Sequence, residues 1–416
     1  MDYKAFREDA LEKYASLPDE TNDLYKRYFT EMRLPEIPAE AGSLKGAPLS
    51  DSGSEATEIP ALKKAGINFD LVVSGSNAIS TSGSIKVCEM ESISDRLPGK
   101  LYRSSDNRFA AYSNANSRTA ILVDHNGEAP ERLNMLFIGD SDLSFQSFFN
   151  IGEKSRLSVF QMFVSTGKPT TSMPLQEFVL GKGSELELTL LSNAGSAASL
   201  LHLSKGTVAE NGTLKANFVY AGAGRTKAIN IFGANGTGSS IEVNEAVYGS
   251  SSQIFDINTC LTNHTERSRT RLSTGAVLTD TARCNLKGYA KIDRYAKAAF
   301  SNVSEKGILL SADARIDALP DMSIDYSDQV SATHSASTSP MDKEALFYIN
   351  SRGIGEAQAR EIFVSSFISK YLSGISHPNA MEISSSVMLS RIRGGACGML
   401  PEITAKDVWY ENKEKK

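Results

Sequence analysis

The chain has 416 residues, 41% of them hydrophobic and 22% charged, and a formal net charge of -5. Such a length predicts about two to three domains with a sizeable core. The acidic balance excludes a general nucleic-acid surface, which needs clustered Lys and Arg, and no run approaches the ~20 apolar residues that span a bilayer.

Residues 1 to 70 form a first, helical zone. It opens MDYKAFREDALEKY, a charged amphipathic pattern with no apolar secretion segment, which predicts a cytoplasmic protein. Phe6, Ala10, Leu11 and Tyr14 recur at helical spacing. Thr21 to Met32 reads as a second helical piece with Leu24, Tyr25, Tyr28 and Phe29, and the Gly- and Ser-rich stretch Gly42 to Gly53 reads as a loop.

The texture changes over residues 71 to 338. Short apolar runs such as Glu185–Leu191, Leu214–Tyr220, Ala228–Phe232, Ser240–Val247, Gln253–Asn258, Ala276–Leu278 and Ala290–Ile292 are separated by Gly, Asn, Ser and Asp. Amphipathic periods of helix length are absent. The pattern predicts a long all-β region, a sandwich, a barrel or a β-helix. Small residues at repeated turn positions favour stacked rungs, although no strict repeat is present.

Cysteine occurs only as Cys88, Cys260, Cys284 and Cys397, with no C-x-x-C pair. Neither a disulfide framework nor a structural zinc site fits that spacing. Cys260 and Cys284 are separated by close to one or two turns of a β-helix, so stacking could bring them together; the plainer reading is core thiols. Gly222 to Lys227 lacks the phosphate-loop spacing and reads as a rung turn. Asp313, Asp317, Asp321, Asp325 and Asp328 read as solvated turn residues rather than a paired-carboxylate glycosidase site.

Residues 339 to 416 return to helix. Ser339-Pro340 supplies a cap and a first-turn proline, and Gly353 a stop. A helix from about Gly355 to Leu372 carries Ala359, Ile362, Phe363, Phe367, Ile368, Tyr371 and Leu372 on one apolar face, and Met381 to Ile392 reads as another, ahead of Gly394-Gly395.

The junction of the last two zones carries the most specific signal. It reads GILLSADARIDALPDMSIDYSDQVSATHSASTSPMDKEALFYINSRG from Gly307 to Gly353. Leu309-Leu310, Ala314, Pro320, Asp325 to Val330, His334 to Ser337 and Leu346 to Gly353 fall in one order. That order resembles the end of the core domain of the SufB/SufD family, scaffold subunits of the SUF iron–sulfur cluster assembly machinery. The resemblance extends more weakly back to about Phe149.

The resemblance implies a mainly β fold, a right-handed parallel β-helix core with helical regions at each end. It implies a non-catalytic scaffold whose partners are a SufC-like ABC-type ATPase and a SufB-like subunit or a second copy, paired through the end of the β-helix. ATPase docking would fall on Leu346 to Leu372, at Leu346, Phe347, Phe363, Phe367 and Tyr371. No firmly bound cofactor is expected, only a transient iron–sulfur cluster at a subunit interface. His334 matches a histidine implicated in SufD-like chains, and imidazole can ligate iron or relay a proton. The cysteine and glutamate of SufB-like chains fall on Ala314 and Ser335, and the cysteine of many SufD-like chains on Ala332. The motif is therefore closer to SufD than to SufB. Cys260, Cys284 and His264 are weaker candidates, His264 being read as a buried hydrogen-bonded residue. The alternative reading is a β-helix carbohydrate-active enzyme or surface protein.

Overall fold

The computed structural model describes residues 3–18, 34, 45–46, 68–74, 77–96, 101–139, 141–165, 168–325 and 330–395. Thr21 to Met32, nearly all of Gly42 to Gly53, Asp328 and Cys397 lie outside them. The chain winds as a parallel β-solenoid of about seven turns with helices at both ends. Alternate strands go to two sheets, one of eleven strands and one of ten. The registers stack Arg156, Glu185, Thr213, Ser240, Arg269, Phe300 and Ser331 in one column.

Side-chain alternation explains the winding. In Glu185–Ala194, Leu186, Leu188 and Leu190 point inward and are buried, as do Ile241, Val243 and Val247 in Ser240–Gly249. Each buried side chain of this size contributes about 1.5–3 kcal/mol. Rings stack along the lumen, with Phe137 at 4.6 Å from Phe163 and Phe149 at 4.8 Å from Phe178.

The corners explain why no repeat is legible. One corner position is left-handed in turn after turn, at Lys154, Gly183, Asn211, Gly238, Arg267 and Ala298. Only two are glycine. The amides at Lys154, Gly183, Asn211, Gly238 and Arg267 each bond to a carbonyl of the following turn, and that stacking offsets the roughly 1–2 kcal/mol of a left-handed L-residue. Gly222 to Lys227 is such a turn, with Ala223 left-handed and Lys227 buried against Asp256 at 2.7 Å.

Several expectations need correction. The β region contains a helix, Arg108–Asn116, whose residues Phe109 to Ala115 are buried. It has no apolar stripe to read because both of its faces are covered. Asn107 caps it, accepting from the Ala110 amide at 2.8 Å. Strands run longer than their apolar runs, Ile254–Asn263 and Arg269–Leu278 being ten residues each. Pro340 does not start a helix: it ends the strand Ser331–Pro340, and the helix Lys343–Ser351 follows, with the Asp342 carboxylate accepting from the Glu344 amide. Two further helices, Glu356–Leu372 and Pro378–Ile392, lie on the eleven-stranded sheet. At the other end the helix Tyr3–Ser16 buries Phe6 and Ala10.

Candidate functional site at the open end of the solenoid

Ser331–Pro340 is the last strand of the eleven-stranded sheet. It pairs along its whole length with Phe300–Leu309, and its other edge has no partner strand among the described residues. Nine of its ten residues are exposed. Asn302 donates to the Thr333 hydroxyl at 2.6 Å and Ser335 to Ser304 at 3.3 Å, so residues 333 and 335 face outward. His334, opposite buried Val303, therefore lies on the lumen side, and it is exposed because the strand ends the stack. It sits within a strand, not at a strand-to-loop corner. Ser335, the position of the family's glutamate, is turned away from it.

One turn back lies a group that sequence reasoning missed. Glu305 is 1% exposed and pairs with Ala336. The Gly288 amide donates to its Oε1 at 2.6 Å, and its Oε2 has no hydrogen-bond partner among the described residues. Burial pushes its pKa up to about 8. A Cβ at Gly288 would meet Oε1 at 2.7 Å, so glycine there leaves room for the carboxyl.

Glu305 continues a polar line along the lumen. Ser204 and Tyr220 bracket His202 at 2.7 and 3.1 Å. Asn230 donates to Thr259 at 3.1 Å, and Thr259 and Thr274 donate to the two oxygens of Glu245 at 2.5 and 2.6 Å. Burial raises the Glu245 pKa and lowers that of His202 to about 3, so the imidazole is neutral at pH 7. The sequence held a signal: in IEVNEAV and NVSEKGI, Glu245 and Glu305 occupy inward positions of the alternation.

The other candidates separate. Cys284 is opposite Phe255 and Cys260 opposite Tyr289, five positions apart along neighbouring strands and on opposite faces. Stacking does not bring them together. Cys284 belongs to the lumen core, and burial pushes the Cys260 thiol up to about 11, so neither is a ready thiolate. His264 is not buried. Its side chain is 40% exposed, with Nδ1 at 2.6 Å from Asp293. Ala314 lies in the lumen core and Ala332 packs beside Ile292 and Ala299. Asp317 pairs with Arg315 at 2.7 Å and Asp321 accepts from the Met322 amide, which leaves these two in structural roles. No group of three or more metal-ligating side chains occurs among the described residues.

The expected docking face divides. Tyr371 is 3% exposed, and Phe363 and Phe367 pack partly against the same core as Val364 and Ile368. Tyr371 cannot be a docking residue, because its ring fills the space above Gly275, where a Cβ would approach it to 2.1 Å. Leu346 is half-buried. The exposed apolar groups are Phe347 at 73%, Tyr348 at 60% and Ile362 at 45%.

Residues 140–367, more than half of the chain, match the family model for the SUF system FeS cluster assembly SufBD core domain. The chain belongs to the SufBD family. It is similar to an iron–sulfur cluster assembly SufBD family protein of Pyrococcus horikoshii, 24% identical over 303 residues that cover 71% of this chain and 67% of that one. A SufBD family protein of Mycobacterium leprae is 38% identical over 77 residues, 18% of this chain and 20% of the relative. The SufD protein of Escherichia coli is 22% identical over 162 residues, 39% of this chain and 38% of its own length. Membership gives the chain a role in iron–sulfur cluster assembly within the SUF system. No helix among the described residues is long and apolar enough to cross a membrane.

Proposed function

We propose that this chain is a non-catalytic, cytoplasmic scaffold subunit of a SUF-type assembly complex, closer to SufD than to SufB. The observation that carries the reading is the terminal strand Ser331–Pro340, open along one edge and bearing His334. An unpaired ten-residue edge is a template for a second β surface, so the strand is where a SufB-like chain or a second copy joins. An iron–sulfur cluster, the cargo, would be handled at that joint. His334 contributes an imidazole, and the thiolates come from the partner or the cargo, because one imidazole holds iron weakly. The SufC-like ATPase docks on the helix Lys343–Ser351 and its neighbour, through Phe347, Tyr348 and Ile362 in place of Tyr371.

Co-expression with SufB-like and SufC-like partners tests this. A complex of defined stoichiometry is expected, with iron. His334→Ala should leave assembly of the subunits intact and lower the iron content. Iron content and cluster delivery equal to wild type would remove His334 from the mechanism. A chain that remains monomeric with every partner would end the scaffold reading.

A further inference from the structure

We propose that the solenoid corner near the open end, carrying Arg267, Arg269, Arg271, Arg294 and Lys297, is a docking ridge for an acidic segment of a partner protein. The ridge is separate from both surfaces described above. Arg269 lies two strands back from the open edge, and the helix Lys343–Ser351 follows the other end of the edge strand.

This corner is charged in several successive turns, and what changes along it is the pairing. In earlier turns opposite signs meet across neighbouring turns, Arg156 with Glu185 at 3.6 Å and Lys182 with Glu210 at 2.9 Å. Toward the open end that pairing stops. Arg269 has Ser240 and Phe300 as its register neighbours. The Arg267 amide bonds to the Lys297 carbonyl at 2.8 Å, which sets one cationic residue beside another. All five cations are exposed, and none forms an ion pair or a side-chain hydrogen bond among the described residues. Asp293 is already taken up by Lys291 at 2.8 Å and His264 at 2.6 Å. Against the five stand Glu266, exposed beside Arg267, and Glu242, which lies opposite Arg271 and accepts from Asn244 at 3.4 Å. The excess is positive.

The ridge is held in place and carries anchors. Arg269 and Arg271 flank buried Thr270 in Arg269–Leu278, so they project from one face about 6.6 Å apart. Beneath them buried Asn263 donates to Ser268 at 2.9 Å and accepts from Thr270 at 2.8 Å, and Thr270 meets Ser301 at 2.9 Å. The Arg271 guanidinium lies 5.8 Å from the centre of the Phe300 ring, and Tyr295 is 73% exposed. Guanidinium forks held in this way match carboxylates through paired hydrogen bonds, and Arg and Tyr are among the side chains that dominate binding energy at protein interfaces. A long polyanion fits less well. The whole chain carries -5, so without these five positive charges the remainder carries -10. An extended phosphate backbone or a lipid surface would run on to that repulsive ground. A short acidic segment ends where the ridge ends.

Fluorescence anisotropy with the purified full-length chain and a fluorescein-labelled peptide of alternating Glu and Ser tests the ridge. Binding is expected at about 10 mM salt and should weaken at least tenfold at about 100 mM, as the screening length falls from about 30 to about 10 Å. Arg269→Gln combined with Arg271→Gln should weaken low-salt binding at least tenfold. Arg156→Gln combined with Lys182→Gln removes the same net charge from the paired turns and should change it less than twofold. Melting temperatures should match wild type for both sets, since all four positions are exposed. Arg294→Gln with Lys297→Gln reads the same ridge if the first pair fails to fold. No binding by the wild type, or equal losses in the two sets, overturns the ridge. A single-stranded adenine oligonucleotide and phosphatidylserine vesicles serve as competing probes. Tighter binding of either through Arg269 and Arg271 overturns the acidic protein segment as the occupant.

Discussion

The middle of the solenoid and its last turn are built from the same strand pattern and end in opposite conditions. In Ser240–Gly249 each inward side chain has a neighbour above and below, and even Glu245 is enclosed by Thr259 and Thr274. In Ser331–Pro340 the inward side chains have a neighbour on one side only, and His334 is left exposed. Polar residues in the middle are enclosed, and both carboxylate oxygens of Glu245 are hydrogen-bonded. Polar residues at the end are available because the stack stops. Position along the stack, more than residue type, separates a structural group from a functional one.

The strongest way to break this comparison is to truncate one side chain in each place. Phe218→Ala, in the lumen, is expected to cost about 3–5 kcal/mol, whereas Ser337→Ala on the terminal strand should stay within about 0.5 kcal/mol. Urea denaturation measures both. Equal costs would mean that the terminal strand is packed as tightly as the middle.

Glu305 stands at the border between the two conditions, and pH reads it. Its carboxyl has a pKa near 4.5 in the unfolded chain and about 8 in the folded one. Below 4.5 both states hold the proton and the contribution to stability is complete. Between about 4.5 and 8 the unfolded chain releases the proton while the folded one keeps it, so stability falls as pH rises; above 8 the loss is complete. The slope amounts to on the order of 3–5 kcal/mol across that window. Glu305→Gln should flatten the corresponding part of the melting-temperature profile. An unaltered profile would show that Glu305 does not titrate in place.

A smaller effect separates a glycine under a packed helix from one in the open link between two helices. Gly275→Ala would drive a methyl into the Tyr371 ring and should cost about 1–3 kcal/mol, while Gly355→Ala, in open space at φ -61° but at the N-cap of Glu356–Leu372, should stay within about 0.5 kcal/mol. Thermal unfolding of the pair measures the contrast. The smallest change is His334→Ala. An exposed residue of the terminal strand, its loss should move stability by no more than about 0.5 kcal/mol, so any fall in iron content of the complex would report chemistry rather than unfolding.

Much of the fold is legible in the residues. Alternation in ELELTLL and SIEVNEAV marks strands with one buried face, and the order from Leu309 to Gly353 points to His334 and to the family. Other features are not legible. Arg108–Asn116 carries no helical stripe because neighbours bury it all round. The corner repeat escapes notice because stacked amides let Lys154, Asn211 and Arg267 take a conformation that favours glycine. Tyr371 shares an apolar face with Phe363 and Phe367, and spacing alone does not tell which part of a wide face meets the sheet.

The sequence by itself determined the strand-rich core, the helical ends, the family motif and the histidine within it. All of these depend on residues close along the chain, whose periodicity and order survive without any knowledge of contacts. Tertiary structure alone decided that Glu305 lies one turn behind His334, that Cys260 and Cys284 face opposite ways, and that Tyr371 is core while Phe347 is surface. Those facts follow from register between strands about 30 residues apart. Register is set by the whole stack closing on its hydrophobic lumen, and a shift of one residue would turn every side chain to the other face.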